Sequence, residues 1–254
     1  MSGHSKWATI KHKKAATDAK RGRAFSRLIK DVTIAAKLGG GDADANPRLR
    51  AAIAAAKAEN MPNENIDRAI ARGTGQMAGM TFEQITFEGY GPGGVAVLVD
   101  VTTDNRVRTV NELRHMFSKW GGNLGESGCV AWMFHKKGQL TLPKEKVDEE
   151  TLMGLVLDAG AEDLRDDGTT WEIVTPPENL EAVKAALGGR QLEPATAEVT
   201  MLPQNTVRLE GGSAQHMVRL LDALEEHEDV QHVYANFDIA EKEIEAAIAA
   251  SGSE

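Results

Sequence analysis

Apolar positions first recur at three- and four-residue steps. Phe25, Leu28, Ile29, Val32 and Ala36 form a stripe that predicts a helix, with Lys20, Arg23, Arg27, Lys30 and Lys37 nearly opposite. Ile34 intrudes on the basic side and Arg21 on the apolar side, so the segregation is imperfect. Gly39-Gly40-Gly41 ends this helix. Asn46-Pro47 reads as an N-cap with proline at the first helical position, opening a second helix through Leu49, Ile53 and Ala56. Asn60-Met61-Pro62 breaks it, and Ile66, Ala69 and Ile70 mark a third that runs to Gly73. The expectation is a three-helix domain over residues 1–75.

Past Thr81 the pattern changes to strands alternating with helices. A hairpin is predicted from Phe82–Glu88 and Val95–Val101, then a helix over Val107–Trp120 and a strand over Cys129–Phe134. Next come strand Gln139–Leu142, helix Glu149–Asp158, strands Ala161–Arg165 and Thr170–Val174, helix Pro177–Leu187 and strand Leu192–Met201. That βαββαβ order is a complete ferredoxin-like unit. Strand Val207–Leu209, helix Ser213–Glu226 and strand Val230–Tyr234 make a poor domain alone but complete the first set. The predicted fold is therefore α+β: an N-terminal three-helix domain followed by two ferredoxin-like α/β sandwiches, one inserted in the other. The expected boundaries are 76–135 plus 204–240 for the discontinuous sandwich, 136–203 for the insert and 241–254 for a helical tail.

Charge changes this picture more than composition does. The 254 residues carry a net charge of -9, which would suggest repulsion from nucleic acid, but the average hides a division. The first forty residues hold ten Lys/Arg against Asp18 and Asp31, a net +8. Residues 41–75 are neutral, and from Gln76 onward fourteen basic side chains face 31 acidic ones. Because the Debye length is about 8 Å at physiological salt, a bound phosphate feels the local arm and hardly the distant body. Phosphate contacts are expected from Lys6, Lys11, Lys13, Lys14, Lys20, Arg21, Arg23, Arg27 and Lys30, with Trp7 offering a face for a base or sugar. The two short helices superficially suggest a helix-turn-helix with Asn63, Asn65, Arg68 and Arg72 as readers, but their neutral segment favours ordinary bundle packing.

Other signals are weaker. The single cysteine, Cys129, cannot form an internal disulfide, and no apolar run approaches a membrane span, so a cytoplasmic location is expected. Gly89-Tyr90-Gly91-Pro92-Gly93-Gly94 matches a dinucleotide fingerprint formally, yet a strand follows it where a helix is required. It reads as a hairpin turn, with Tyr90, Gly91, Gly93 and Gly94 as a possible partner-contact loop. Asp100 and Asp104 could share a strand end, though Asp104-Asn105 reads equally well as a turn and N-cap. Asp166-Asp167-Gly168 reads as a hairpin turn. The histidines lack metal-binding spacing and no serine sits in a nucleophile elbow, so no catalytic residue, metal, cofactor or small-molecule substrate is expected, an enzyme with a site between the α/β domains being the remote alternative. Trp132, Trp171 and Phe237 are expected to fill cores.

The opening Ser2-Gly3-His4-Ser5-Lys6-Trp7-Ala8-Thr9-Ile10-Lys11-His12-Lys13-Lys14, with Asp18-Ala19-Lys20-Arg21-Gly22, resembles that of the YebC-like family. Asn46-Pro47-Arg48-Leu49-Arg50, Asn60-Met61-Pro62, Ile66-Asp67-Arg68-Ala69-Ile70 and Glu88-Gly89-Tyr90-Gly91-Pro92-Gly93-Gly94 extend the resemblance along the chain. It implies a helical domain followed by two α/β domains, and a cytoplasmic, non-enzymatic nucleic-acid-binding regulator. Bacterial members are described as DNA-binding transcriptional regulators; a mitochondrial relative activates translation, and other relatives are linked to the ribosome. The implied partner is thus DNA, with rRNA or the ribosome as the alternative.

Overall fold

The computed structural model describes residues 18–79 and 81–251. Its first three helices are α1 (Asp18–Gly39), α2 (Pro47–Ala58) and α3 (Asn63–Gly73). They close around Val32, Ala36, Leu49, Ala56, Ile66 and Ala69, the stripe the sequence predicts. The Asn46 side chain accepts from the Leu49 N–H (3.1 Å) as N-cap of α2, while its amide donates to the Ala35 and Gly40 carbonyls (both 2.9 Å). One residue thus fixes the end of α1 to the start of α2. At Gly73 a Cβ would lie 2.3 Å from the Thr33 carbonyl, so glycine permits the close crossing of α3 on α1.

A four-stranded antiparallel sheet follows, built from β1 (Glu83–Tyr90), β2 (Ala96–Thr103), β3 (Asn123–Leu124) and β9 (Val230–Ala235) in the order β3-β1-β2-β9. Alternate residues Val95, Val97, Val99 and Val101 face α4 (Arg106–Lys119) and α7 (Gly211–Glu226), and Leu113, Phe117, Met217 and Leu221 complete the core. Ile244 and Ala247 of α8 (Glu241–Ser251) join that core. The second sheet comprises β4 (Phe134–Pro143), β5 (Asp163–Asp166), β6 (Thr170–Thr175) and β7 (Thr196–Pro203), ordered β5-β6-β4-β7, with α5 (Glu149–Asp158) and α6 (Leu180–Gly189). This is the ferredoxin-like βαββαβ topology expected of the insert. Residues 132–206 form one compact unit; the described residues up to Ala131, with Val207–Ser251, form the other.

Three local expectations are corrected. Cys129–Phe134 is not a strand: Ala131–Met133 is a 3-10 turn and β4 starts at Phe134. The N–H groups of Gly128, Val130 and Ala131 bind the Glu88 carboxylate and are unavailable to a ladder. Val207–Leu209 does not join the larger sheet; β8 (Val207–Arg208) pairs in parallel with β10 (Phe237–Asp238). Trp132, expected in a core, is 63% exposed, whereas Trp171 and Phe237 are buried.

Candidate nucleic-acid interface and its mounting

The cationic face of α1 divides along its length. At Lys30, where the helix meets the α/β body, Nζ lies 2.6 Å from Asp229 Oδ1 and donates to the Glu228 carbonyl at 2.9 Å. The opposite oxygen of Asp229 accepts from Arg108 Nη2 (2.8 Å), Thr109 Oγ1 (2.8 Å) and Thr103 Oγ1 (3.1 Å). Asp229 is 1% exposed. Burial alone would favour its neutral form, but hydrogen bonds from Lys30, Arg108 and Thr109 outweigh that and hold its carboxyl well below the usual carboxylate range. The same bonds push the Arg108 guanidinium up, with Asp229 the largest cause and Asp104 also contributing.

One turn earlier, Arg27 donates to the Glu225 and His227 carbonyls, at the C-terminal end of α7 where a cation meets the unpaired carbonyls of a helix. Arg23 reaches Glu226 at 3.7 Å. Lys30 and Arg27 mount α1 on the body, while the Arg23–Glu226 contact stays largely exposed. Of the predicted phosphate contacts, Lys30 is therefore withdrawn from the surface and Arg27 is half-buried. Lys6, Trp7, Lys11, Lys13 and Lys14 lie outside the described residues, and for Lys20 and Arg21 only the helical backbone is described. Ile34, which intrudes among the basic residues, is also buried although it lies outside the bundle's core cluster.

The other sequence-predicted sites divide between packed and exposed positions. Tyr90 is half-buried and its hydroxyl donates to the Cys129 carbonyl at 3.1 Å. Gly91 is buried, and a Cβ there would meet Met217 Sδ at 2.8 Å. Gly93 and Gly94 are exposed and adopt positive φ in the turn between β1 and β2. Asn63, Arg68 and Arg72 are exposed on α3, with Arg68 bonded to Asn65 at 2.7 Å. Asp100 accepts from Thr86 at 2.6 Å and Asp104 from Arg108 at 3.0 Å, so the structure gives these two carboxylates separate partners. Asn105, not Asp104, caps α4 by accepting from the Arg108 N–H.

Sequence reasoning missed two carboxylates that organise the molecule, Asp229 and Glu88. Glu88 accepts from Gly128 (2.6 Å), Val130 (2.8 Å) and Ala131 (2.7 Å); burial opposes its ionisation, but these backbone bonds prevail and lower its pKa. Glu88 was visible only as part of a glycine-rich motif, and Asp229 only as one acid in a run of acids. Glu112, His227 and Asp229 bring potential metal-donor atoms within 4.8 Å of one another. Each already has a partner: the His227 Nδ1 accepts from the Asp229 N–H and its Nε2 meets Glu112 at 2.8 Å. The arrangement serves as a hydrogen-bonded clasp beside the Lys30 bridge. Among the described residues no helix is long and apolar enough to cross a membrane.

A helical bundle bolted through a buried ion pair to an α/β sandwich, with a ferredoxin-like sandwich inserted, defines a three-part α+β protein with a cationic N-terminal segment. Two family models account for it in register: the TACO1/YebC protein N-terminal domain over residues 5–76, and the TACO1/YebC second and third domain over residues 82–237. The chain belongs to the TACO1/YebC family. It is 61% identical over 245 residues to a probable transcriptional regulatory protein of Koribacter versatilis, covering 96% of this chain and 98% of that one. A protein of the same description from Acidobacterium capsulatum is 60% identical, with 96% and 98% covered. The crystal structure of a conserved hypothetical protein from Aquifex aeolicus matches with a TM-score of 0.75 at 48% identity, over 88% of this chain and 92% of that one.

Proposed function

We propose that this protein is a non-enzymatic, cytoplasmic nucleic-acid-binding regulator, acting on transcription by binding DNA through its basic N-terminal segment. The observation that carries this reading is the concentration of +8 in forty residues ahead of a body that is -17 from Gln76 onward. The anchoring of Arg27 and Lys30 leaves phosphate contact to Lys6, Lys11, Lys13, Lys14, Lys20, Arg21 and Arg23, with Trp7 for stacking. The names of the relatives, probable transcriptional regulatory proteins, support a regulatory role. The acidic remainder disfavours nucleic acid elsewhere by like-charge repulsion and so keeps binding at the arm.

If about six phosphates are neutralised, log K on duplex DNA falls with log salt at a slope of about -5. Affinity that ignores salt overturns the reading. Sedimentation of lysate through sucrose tests the destination: promoter occupancy without ribosomal co-migration supports transcription, whereas DNase-resistant co-migration with 50S or 70S particles replaces DNA with the ribosome as partner.

A further inference from the structure

The basic face of α1 runs onto an acidic corner of the body. Arg23, Arg27, Lys30 and Ile34 fall within about 60° of one another around the helix, a single face. Against it, the end of α7 and the turn into β9 read Glu225-Glu226-His227-Glu228-Asp229, four carboxylates in five residues. The grip loosens from one end of that face to the other. Lys30, with 11% of its side chain exposed, is held by Asp229 and by the Glu228 carbonyl. Arg27 is half-buried on the Glu225 and His227 carbonyls; burial works against its charge, and the Glu225 carboxylate offsets part of that. Arg23 keeps 38% of its side chain exposed and meets Glu226, itself 57% exposed, at 3.7 Å. That distance makes an ion pair without a hydrogen bond.

Resting on the nucleic-acid reading above, we propose that this acidic corner is a built-in competitor of nucleic-acid phosphate, in which Glu226 and the incoming backbone contend for Arg23. Closely spaced carboxylates present to a basic face the kind of charge that a phosphate backbone presents. For Lys30 and Arg27 the body wins, because their partners are a buried carboxylate and main-chain carbonyls fixed at the end of α7. For Arg23 the contest is open. A solvated pair such as Arg23–Glu226 is worth little, since both side chains lose freedom to form it and salt screens it. A phosphate offers the guanidinium two oxygens in a bidentate, charge-assisted geometry that the 3.7 Å contact lacks. Glu226 therefore marks where the nucleic-acid footprint on α1 ends, and it lowers affinity by making each phosphate displace it from Arg23.

The test is fluorescence anisotropy on the full chain with a short DNA duplex over a salt series, for wild type, Glu226→Gln, Arg23→Ala and the double variant. Thermal melts set a temperature at which every variant is folded. Glu226→Gln should bind about two- to fivefold more tightly at low salt, with a slope steeper by up to about 1. In the Arg23→Ala background the same change should have no effect, because the group being contended for is gone. Unchanged or weaker binding by Glu226→Gln overturns the competition. A gain that persists without Arg23 assigns the effect to the general field of the body and overturns the contest for that residue. A variant with Lys11, Lys13 and Lys14 replaced by alanine is measured alongside. If it weakens binding while Glu226→Gln changes nothing, the arm stands and the acidic corner is only a mounting. If it leaves affinity and slope unchanged, the nucleic-acid reading itself falls.

Discussion

Two basic helices, α1 and α4, meet at one buried carboxylate and use their charge in opposite ways. On α1 the cations nearest the body turn inward: Lys30 is buried on Asp229 and Arg27 sits on the carbonyls ending α7. On α4 only Arg108 turns inward, while Arg106, Arg114 and Lys119 stay exposed. A run of positive residues therefore has two physical fates, and the residues opposite it in the fold decide which. A carboxylate with four hydrogen bonds converts a cation into a structural bolt. A solvated cation without such a partner keeps its field for something outside the molecule.

Removing the bolt is the strongest way to break this comparison. Asp229→Ala leaves the Lys30 ammonium buried and Arg108 without its main partner, and should cost about 3–5 kcal/mol in urea unfolding. A loss under about 1 kcal/mol would show that the bridge is incidental. The pH dependence has a definite sign. Because Asp229 titrates lower in the folded chain than its ordinary value near 4, its contribution is complete above about pH 4. It fades as pH falls below that, so the stability gap between wild type and Asp229→Ala should narrow progressively as pH drops below about 4. Widening of the gap on acidification would contradict the assignment.

The second effect in size concerns Glu88. Glu88→Gln keeps the shape but weakens three bonds to the Gly128–Ala131 turn, at a cost of about 1–3 kcal/mol. Amide exchange at Gly128, Val130 and Ala131 should accelerate selectively; uniform acceleration across the larger sheet would argue against a local staple. Smaller again, Asn105→Ala should cost about 1 kcal/mol by uncapping α4, read as a lower melting temperature. The smallest is Arg114→Ala, which on the exposed face should change stability by no more than about 0.5 kcal/mol. A large loss there would mean that α4 is bolted in the manner of α1, and the contrast between the helices would vanish.

Much of the fold could be read along the chain because the decisive interactions are local. The α1 stripe, the Asn46-Pro47 start of α2 and the Asp166-Asp167-Gly168 turn involve residues within a few positions of one another. The errors arise where a distant partner decides. Cys129-Val130-Ala131-Trp132-Met133-Phe134 has the composition of a strand, but a carboxylate some forty residues earlier captures its amides. Lys30 looks as solvated as Lys37 on a helical wheel, and only Asp229, 199 residues later, buries it. Ile34 was the available warning, an apolar residue on a nominally charged face. The candidate site was legible as a charge concentration and not as a geometry, since spacing cannot distinguish a bolt from a contact.

The most direct test compares salt slopes on duplex DNA for wild type, for Lys30→Met and for the variant with Lys11, Lys13 and Lys14 changed to alanine, each at a temperature where it is folded. Lys30→Met should match the wild-type slope of about -5 despite lower stability, while the triple variant should be shallower by about 3. A Lys30→Met slope shallower than wild type, with the triple variant unchanged, would contradict the division between inward and outward cations.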